Sequence, residues 1–279
     1  MSLIARFKGV LSRQTPAAPP AAASLVAAEP EPDISNNVGL VDHCLSGWLT
    51  GNELFRGFPI LAEDVLIDAG CGSGNYAVFA GRQGPHIILC DILAEQVAKA
   101  AQRVRETNAR DVTEVVQTSE LMPLPDQIAT KVVCREVLEH VGDPVLFMSE
   151  LVRVAKPGAL FLISVPHPAS ESLQALAHKP AYFQPPNHVR IVSPEQFKAL
   201  VTDAGLVIEN YETHGFYSMM ALAFLSICDT DLETRQHPLL YNWGRTWRTL
   251  LETEGGVELK KKFDSYLPNS QVIIARKPG

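Results

Sequence analysis

Asp68, Gly70, Gly72 and Gly74 stand where the apolar run Val65-Leu66-Ile67 gives way to a glycine-rich turn, in the stretch VLIDAGCGSGNY. Glycines at such a turn allow positive φ and let a ligand come close, and a helix after it offers unpaired N–H groups to an anion. The turn therefore suits a carboxylate or a phosphate. A dinucleotide turn has the spacing GxGxxG, but here the third glycine arrives one position early, at Gly74, and Asn75 fills its place. Asp68, ahead of the first glycine, repels a pyrophosphate and suits an ammonium group. Both features disfavour a nicotinamide-dependent oxidoreductase.

The next apolar run, HIILCD, ends in Asp91. A carboxylate at the tip of a second strand, about 20 residues beyond the glycine turn, is placed to accept both hydroxyls of a ribose. An acid for an ammonium group, a glycine turn for a carboxylate and an acid for a ribose together fit S-adenosyl-L-methionine (S-adenosylmethionine).

Positioning these groups requires an alternating α/β chain. Val65 to Ile67, Ile87 to Cys90, Val115 to Val116, Val132 to Cys134 and Leu160 to Val165 read as buried strands. Helical patterns fall at Tyr76 to Gln83, Ala94 to Thr107 and Val145 to Val154. Such repetition predicts a parallel sheet covered on both faces, with the strand carboxyl ends on one edge. Ser193 to Ala204 reads as a helix with Ser193 as N-cap and Pro194 in its first turn. Val207 to Ile208 opens another strand, and Gln271 to Arg276 is the last.

The remaining segments read as additions. Residues 1–35 form a flexible segment, with Pro- and Ala-rich sequence from Gln14 to Asp33. A domain of residues 36–279 follows. Leu40, Val41, Cys44, Leu45, Trp48 and Leu49 recur at helical spacing, so residues 36–60 are expected to form a helical cap over the mouth of the core. Residues 166–192 look like an irregular insertion, and residues 215–265, with Trp243, Trp247, Leu250 and Leu251, like a helical one that carries acceptor-specific structure.

Composition narrows the function further. With 24 Lys and Arg against 31 Asp and Glu and no basic, aromatic-interleaved cluster, nucleic acid is not an expected partner. The five cysteines, Cys44, Cys71, Cys90, Cys134 and Cys228, show no CxxC or zinc-ligand spacing, so no metal is expected and a reduced, cytoplasmic setting follows. Leu3, Ile4, Phe7, Val10 and Leu11, with Arg6, Lys8 and Arg13 between them, would let residues 1–13 touch an anionic membrane weakly; a frayed tail is the plainer reading.

With these motifs in order, the chain resembles the class I methyltransferase family, in particular the branch of quinone and sterol methyltransferases. The resemblance runs from roughly Glu63 to Val165: VLIDAGCGSGNY matches the family's first motif, CREVLEHVGDP its motif after the fourth strand, and ELVRVAKPGALFLISV its fifth-strand motif, with a weaker echo from His188 to Leu206. It implies a Rossmann-like, doubly wound, mostly parallel seven-stranded sheet with an added helical substrate cap. It also implies that Asp68, Gly70, Cys71, Gly72 and Gly74 hold the amino-acid end of the cofactor, Asp91 the ribose and Ile92 the adenine, with Arg135 and Glu136 lining the ribose and methionine side. The family's usual Asp after the third strand is missing from Gln117-Thr118-Ser119-Glu120-Leu121, where Ser119 or Glu120 would substitute.

Methyl transfer is an in-line displacement at a sulfonium, so the protein chiefly aligns two reactants in a dry site. A base is needed only if the acceptor keeps its proton, and His140, His167 and His188 are the candidates. Each has a plainer structural reading, as a helix-end or loop histidine. Tyr182, Phe183 and Trp48 would line an acceptor pocket or serve as core. Met219, Met220, Leu222, Phe224 and Leu225 would form core, a homodimer face or the wall of a lipid-like pocket. The expected activity is methyl transfer to oxygen of a small, partly apolar acceptor; the alternative is a non-catalytic cofactor-binding subunit.

Overall fold

Seven segments pair into one sheet in the computed structural model, which describes residues 34–117, 120–177, 183, 187–228 and 237–279. The chain enters by helix α1 (Ile34–Leu45) and three short strands, β1 (Trp48–Thr50), β2 (Glu53–Phe55) and β3 (Phe58–Pro59), which form a small antiparallel sheet. Then come β4 (Val65–Ala69), α2 (Asn75–Gly81), β5 (His86–Asp91), α3 (Ala94–Arg105), β6 (Asp111–Val116) and β7 (Ala129–Arg135). The second half holds α4 (Pro144–Val154), β8 (Ala155–Pro166), α5 (Pro168–Ala177), α6 (Pro194–Asp203), β9 (Val207–His214), α7 (Phe216–Ile227), α8 (Pro238–Glu252), α9 (Gly256–Tyr266) and β10 (Ser270–Arg276).

The large sheet runs β6-β5-β4-β7-β8-β10-β9, with β10 antiparallel to both of its neighbours. The order reverses at β4, so a crevice opens at the tips of β4, β5 and β7, where doubly wound sheets bind ligands. Side-chain alternation along each strand divides the core into two layers. Ile67, Cys90, Val132, Cys134, Phe161 and Ile163 pack on one face. Leu66, Ile87, Leu89, Val133, Leu160 and Leu162 pack on the other. Because β10 runs backwards, its first residue Ser270 pairs with both Pro166 and His214 on that same edge.

Helices α4 and α6 begin where their caps dictate. Asp143 accepts from the N–H groups of Val145 and Leu146 at 3.0 and 2.9 Å ahead of α4, and Ser193 with Gln196 forms a capping box ahead of α6.

Two expectations are corrected. The helix expected over residues 36–60 ends at Leu45, because Gly47 at φ 99° turns the chain and Trp48 pairs with Phe55 in the small sheet. The insertion expected to be irregular contains α5, whose inward residues Ser170, Glu171 and Gln174 are polar and so hide the helical pattern.

The helices of the 215–265 region pack on α1 through a buried charge network. Lys260 Nζ donates to Asp264 Oδ2 at 2.5 Å and Ser46 Oγ at 2.7 Å, and lies 3.5 Å from Asp42 Oδ1, which also accepts from Trp247 Nε1 at 2.8 Å. Burial outweighs the nearby Lys260 and raises the Asp42 pKa to about 6. Among the described residues no helix is long and apolar enough to cross a membrane. Residues 1–33 lie outside the described residues, as do Ser119 and Tyr182.

Candidate active site

The turn after β4 is held by backbone contacts that leave no room for side chains. The N–H groups of Gly70 and Cys71 both donate to the Cys90 carbonyl, at 2.8 and 2.9 Å. Gly70 and Gly74 have φ of 76° and 78°, and a Cβ would come within 2.3 Å of Val137 Cγ2 at the first and 2.7 Å of Ala100 Cβ at the second. Gly72, between them, faces open space. The turn thus presents its middle outward while its ends press on the core.

Asp91 closes the turn from the neighbouring strand. Its Oδ2 accepts from Gly72 N–H at 2.9 Å and its Oδ1 from Leu93 N–H at 3.0 Å. Ile92, next to it, is 66% exposed, an apolar surface at the strand tip of the kind a flat ring covers. Asp68 is buried, and desolvation, only partly offset by Arg135, raises its pKa to about 7. The buried Cys71 thiol is also pushed up, first by burial and then by Asp68 and Asp91, which makes it inert.

Arg135 ends β7 with its guanidinium packed against two rings, 3.8 Å from the Tyr76 centroid and 4.3 Å from that of Trp48. Its Nε is buried without a hydrogen-bond partner among the described residues. Glu136 holds a left-handed backbone, φ 52°, that is costly for a residue with a Cβ. Its Oε1 accepts from Ser164 Oγ at 2.8 Å, and desolvation raises its pKa. Glu120 is held at the start of α4: its Oε1 accepts from the N–H groups of Gly142 and Asp143, at 3.0 and 3.2 Å.

The three candidate histidines separate. His167 Nδ1 accepts from Ala169 N–H at 3.1 Å at the start of α5, and burial lowers its pKa. His140 and His188 meet edge to face, with ring centroids 4.7 Å apart. His188 Nδ1 lies 3.0 Å from both carboxylate oxygens of buried Glu171. His140 Nε2 lies 3.7 Å from Glu139 Oε1. Glu139 is 1% exposed, and burial followed by Glu136 raises its pKa far above the usual range. No metal was expected, yet Glu139, His140 and His188 place potential ligand atoms within 4.8 Å of one another.

A cavity of about 560 Å³ opens beside the turn. Asn75, Tyr76, Arg135, Asn269 and Ser270 bring its polar wall from the sheet edge; Tyr217, Ala221, Leu222, Leu225 and Leu240 bring an apolar wall from α7 and α8, and α1 supplies Leu40 and His43. None of His140, His167 and His188 lines it. Its histidines are His43 and His214, absent from the sequence candidates. His43 Nε2 lies 2.9 Å from Tyr76 Oη, and Trp48 Nε1 donates to His214 Nε2 at 3.1 Å. Burial brings the His43 pKa down to about 3 and lowers that of His214 strongly, so both stay neutral. His214 ends β9 at the ligand edge, and no apolar pattern in that strand marks it in the sequence.

A doubly wound sheet that reverses at β4, with an acid and glycine turn at that strand's tip and a second acid at the next, defines a nucleoside-binding α/β protein of the methyltransferase type. The family model described as a methyltransferase domain matches residues 50–211, more than half of the chain, and the chain belongs to that family. It is 32% identical over 165 residues to a probable S-adenosylmethionine-dependent methyltransferase of Mycolicibacterium smegmatis, covering 58% of each chain. It is 31% identical over 104 residues to a ubiquinone biosynthesis O-methyltransferase of Rickettsia akari, covering 37% of this chain and 41% of the relative. The chain thus spans about half the length of these curated relatives. Among solved structures, geranyl diphosphate methyltransferase in complex with SAM superposes with a TM-score of 0.57 at 16% identity, covering 90% of this chain and 93% of the other. The cyclase SpnF superposes at 0.52 and 19% identity, covering 88% and 81%. At those identities the likeness is one of fold.

Proposed function

We propose that the protein is an S-adenosylmethionine-dependent methyltransferase that acts on a hydroxyl of a small, partly apolar acceptor. The observation that carries this reading is the cavity, which shares Asn75, Tyr76 and Arg135 with the donor edge and ends in the apolar wall of α7. Its volume is in the range of small-molecule sites. Asp68 serves the donor's ammonium, Asp91 its ribose hydroxyls and Ile92 its adenine.

In the transfer, a lone pair of the acceptor oxygen forms the new O–CH₃ bond as the S–CH₃ bond breaks, and the sulfonium keeps that electron pair as a neutral thioether. The acceptor proton must leave. The imidazoles on the cavity wall are poor bases, since burial holds His43 near a pKa of about 3. His140 and His188, the latter oriented by Glu171, stand outside the cavity lining, and His167 serves as a helix cap, so the acceptor proton passes to water.

Single-turnover transfer of a labelled methyl group to a panel of hydroxyl-bearing amphipathic acceptors tests the reading. Labelled ether product is expected. Tight cofactor binding with no transfer to any acceptor would instead favour a non-catalytic binding subunit.

A further inference from the structure

Arg135 brings to the cavity wall a positive charge that the fold does not pair. Its guanidinium rests on the rings of Tyr76 and Trp48, and its Nε is buried without a hydrogen-bond partner among the described residues. Arg105, Arg153 and Arg276, by contrast, meet their acids at 2.5 to 2.7 Å. Among the described residues no such pair includes Arg135. A charge taken partly out of water without a partner is costly, and a fold keeps one where a ligand completes it. We propose that Arg135 binds a carboxylate of the acceptor, which makes the substrate a hydroxy acid with an apolar body. This names the acceptor class for the methyl-transfer reading and rests on that reading.

The charges around the cavity favour a singly charged group. Burial holds His43 and His214 neutral. Asp42 on the wall already accepts from Trp247 Nε1 at 2.8 Å and faces Lys260 at 3.5 Å, and Lys260 in turn is held by Asp264. Arg135 therefore supplies the only positive charge among the described residues that line the cavity. One carboxylate balances it, whereas a phosphate monoester brings nearly two negative charges. The acids behind Arg135 are otherwise engaged. It partly offsets the desolvation that raises the pKa of Asp68 and of Glu136, yet no hydrogen bond joins it to either among the described residues. Ser164 Oγ donates to Glu136 at 2.8 Å, and the donor's ammonium takes Asp68.

Geometry supports the same ligand. A guanidinium docked on ring faces keeps its N–H edge for the two oxygens of a carboxylate. Arg135 stands at the tip of β7, beside the donor turn, while Leu222 and Leu225 of α7 wall the other side of the cavity. An acceptor anchored by its acid at Arg135 and by its apolar body along α7 has its hydroxyl fixed relative to the donor, which is the alignment in-line transfer needs.

Calorimetry on the whole chain saturated with S-adenosylhomocysteine tests the proposal with octanoate, octanamide and octyl phosphate as probes. Octanoate should bind at one saturable site about 30-fold or more tighter than octanamide, the difference that hydrogen bonds to a charged group supply. Octyl phosphate should bind more weakly than octanoate. Arg135→Gln should erase the preference for octanoate over octanamide, and Arg135→Lys should narrow it to about 10-fold or less. If Arg135→Gln does not fold, Arg135→Lys decides, and an unchanged preference there overturns the proposal. No octanoate binding, or equal binding of octanoate and octanamide to the wild type, overturns it while leaving the methyl-transfer reading intact, because S-adenosylhomocysteine is bound in the same samples. Tighter binding of octyl phosphate than of octanoate also overturns it. So does a preference for octanoate that survives Arg135→Gln while S-adenosylhomocysteine affinity falls, since Arg135 would then serve the donor's own carboxylate. Failure of S-adenosylhomocysteine to bind the wild type would instead defeat the methyl-transfer reading, and this inference with it.

Discussion

The donor edge and the helical cap are built by opposite means. At the donor edge, backbone groups do the positioning: Gly70 and Cys71 hang on one carbonyl, Gly72 N–H meets Asp91, and the glycine ends of the turn press on Val137 and Ala100. In the cap, side chains distant in sequence do it, through Lys260 between Asp42 and Asp264 and through the ring cluster of Phe216, Tyr217, Trp243 and Trp247. Backbone geometry tolerates few substitutions, so it leaves a spacing pattern that can be read. A network of side chains can be rebuilt with other residues, so it leaves no such pattern.

Four experiments separate the two halves, from the largest expected effect to the smallest. Lys260→Met leaves Asp42 and Asp264 buried without their cation and should cost about 3 kcal/mol of stability, measured by urea unfolding, with S-adenosylhomocysteine affinity of the folded fraction unchanged. The sign of its pH dependence follows from Asp42, whose folded pKa of about 6 lies above the ordinary 3.8. The folded state therefore binds more protons than the unfolded state between those values. This contribution is fully present below pH 4 and is lost as the pH rises through 6, so acidification should recover part of the deficit.

Asp91→Ala should do the reverse, weakening S-adenosylhomocysteine by about 30-fold through the loss of charged hydrogen bonds, with a smaller effect on stability. A large loss of stability with little loss of affinity would erase the distinction between the halves.

Asp68 supplies the third test. The donor's ammonium needs the ionised carboxylate, and the free protein holds this group near a pKa of about 7. Calorimetry should find S-adenosylhomocysteine affinity level above pH 7 and falling by up to about tenfold per unit below it. In Asp68→Asn the profile should be weak and flat. The smallest effect is expected at Leu225, buried on the apolar wall. Leu225→Ala should raise the acceptor KM by about 10-fold or less while leaving donor affinity alone.

The same contrast explains what could be read from the amino-acid order. The central strands of the large sheet are apolar on both faces, so Val65 to Ile67 or Leu160 to Val165 can be recognised directly, and Asp68 and Asp91 at the ends of β4 and β5 follow. Beyond Ile208, β9 is an edge strand with the polar residues Glu209, Asn210, Glu212 and Thr213, so its continuation to His214 carries no apolar signal. The small sheet of β1 to β3 has strands of two or three residues, too short for any period, and Trp48 continued the spacing of the helix before it. Glu139 passed unnoticed because a glutamate near a helix start reads as a solvated acid. Its burial becomes visible only when α5 brings Glu171 beneath His188. The histidines of the cavity, His43 and His214, lie 171 positions apart in order and share no motif.

The central claim is that the turn from Asp68 to Gly74, closed by Asp91, binds S-adenosylmethionine. Calorimetric titration of S-adenosylhomocysteine into the wild-type chain and Asp91→Ala, at pH 8 where Asp68 is ionised, tests it most directly. The account predicts saturable binding to one site in the wild type, weakened by about 30-fold in the variant; no binding to the wild type, or equal binding to both, would contradict it.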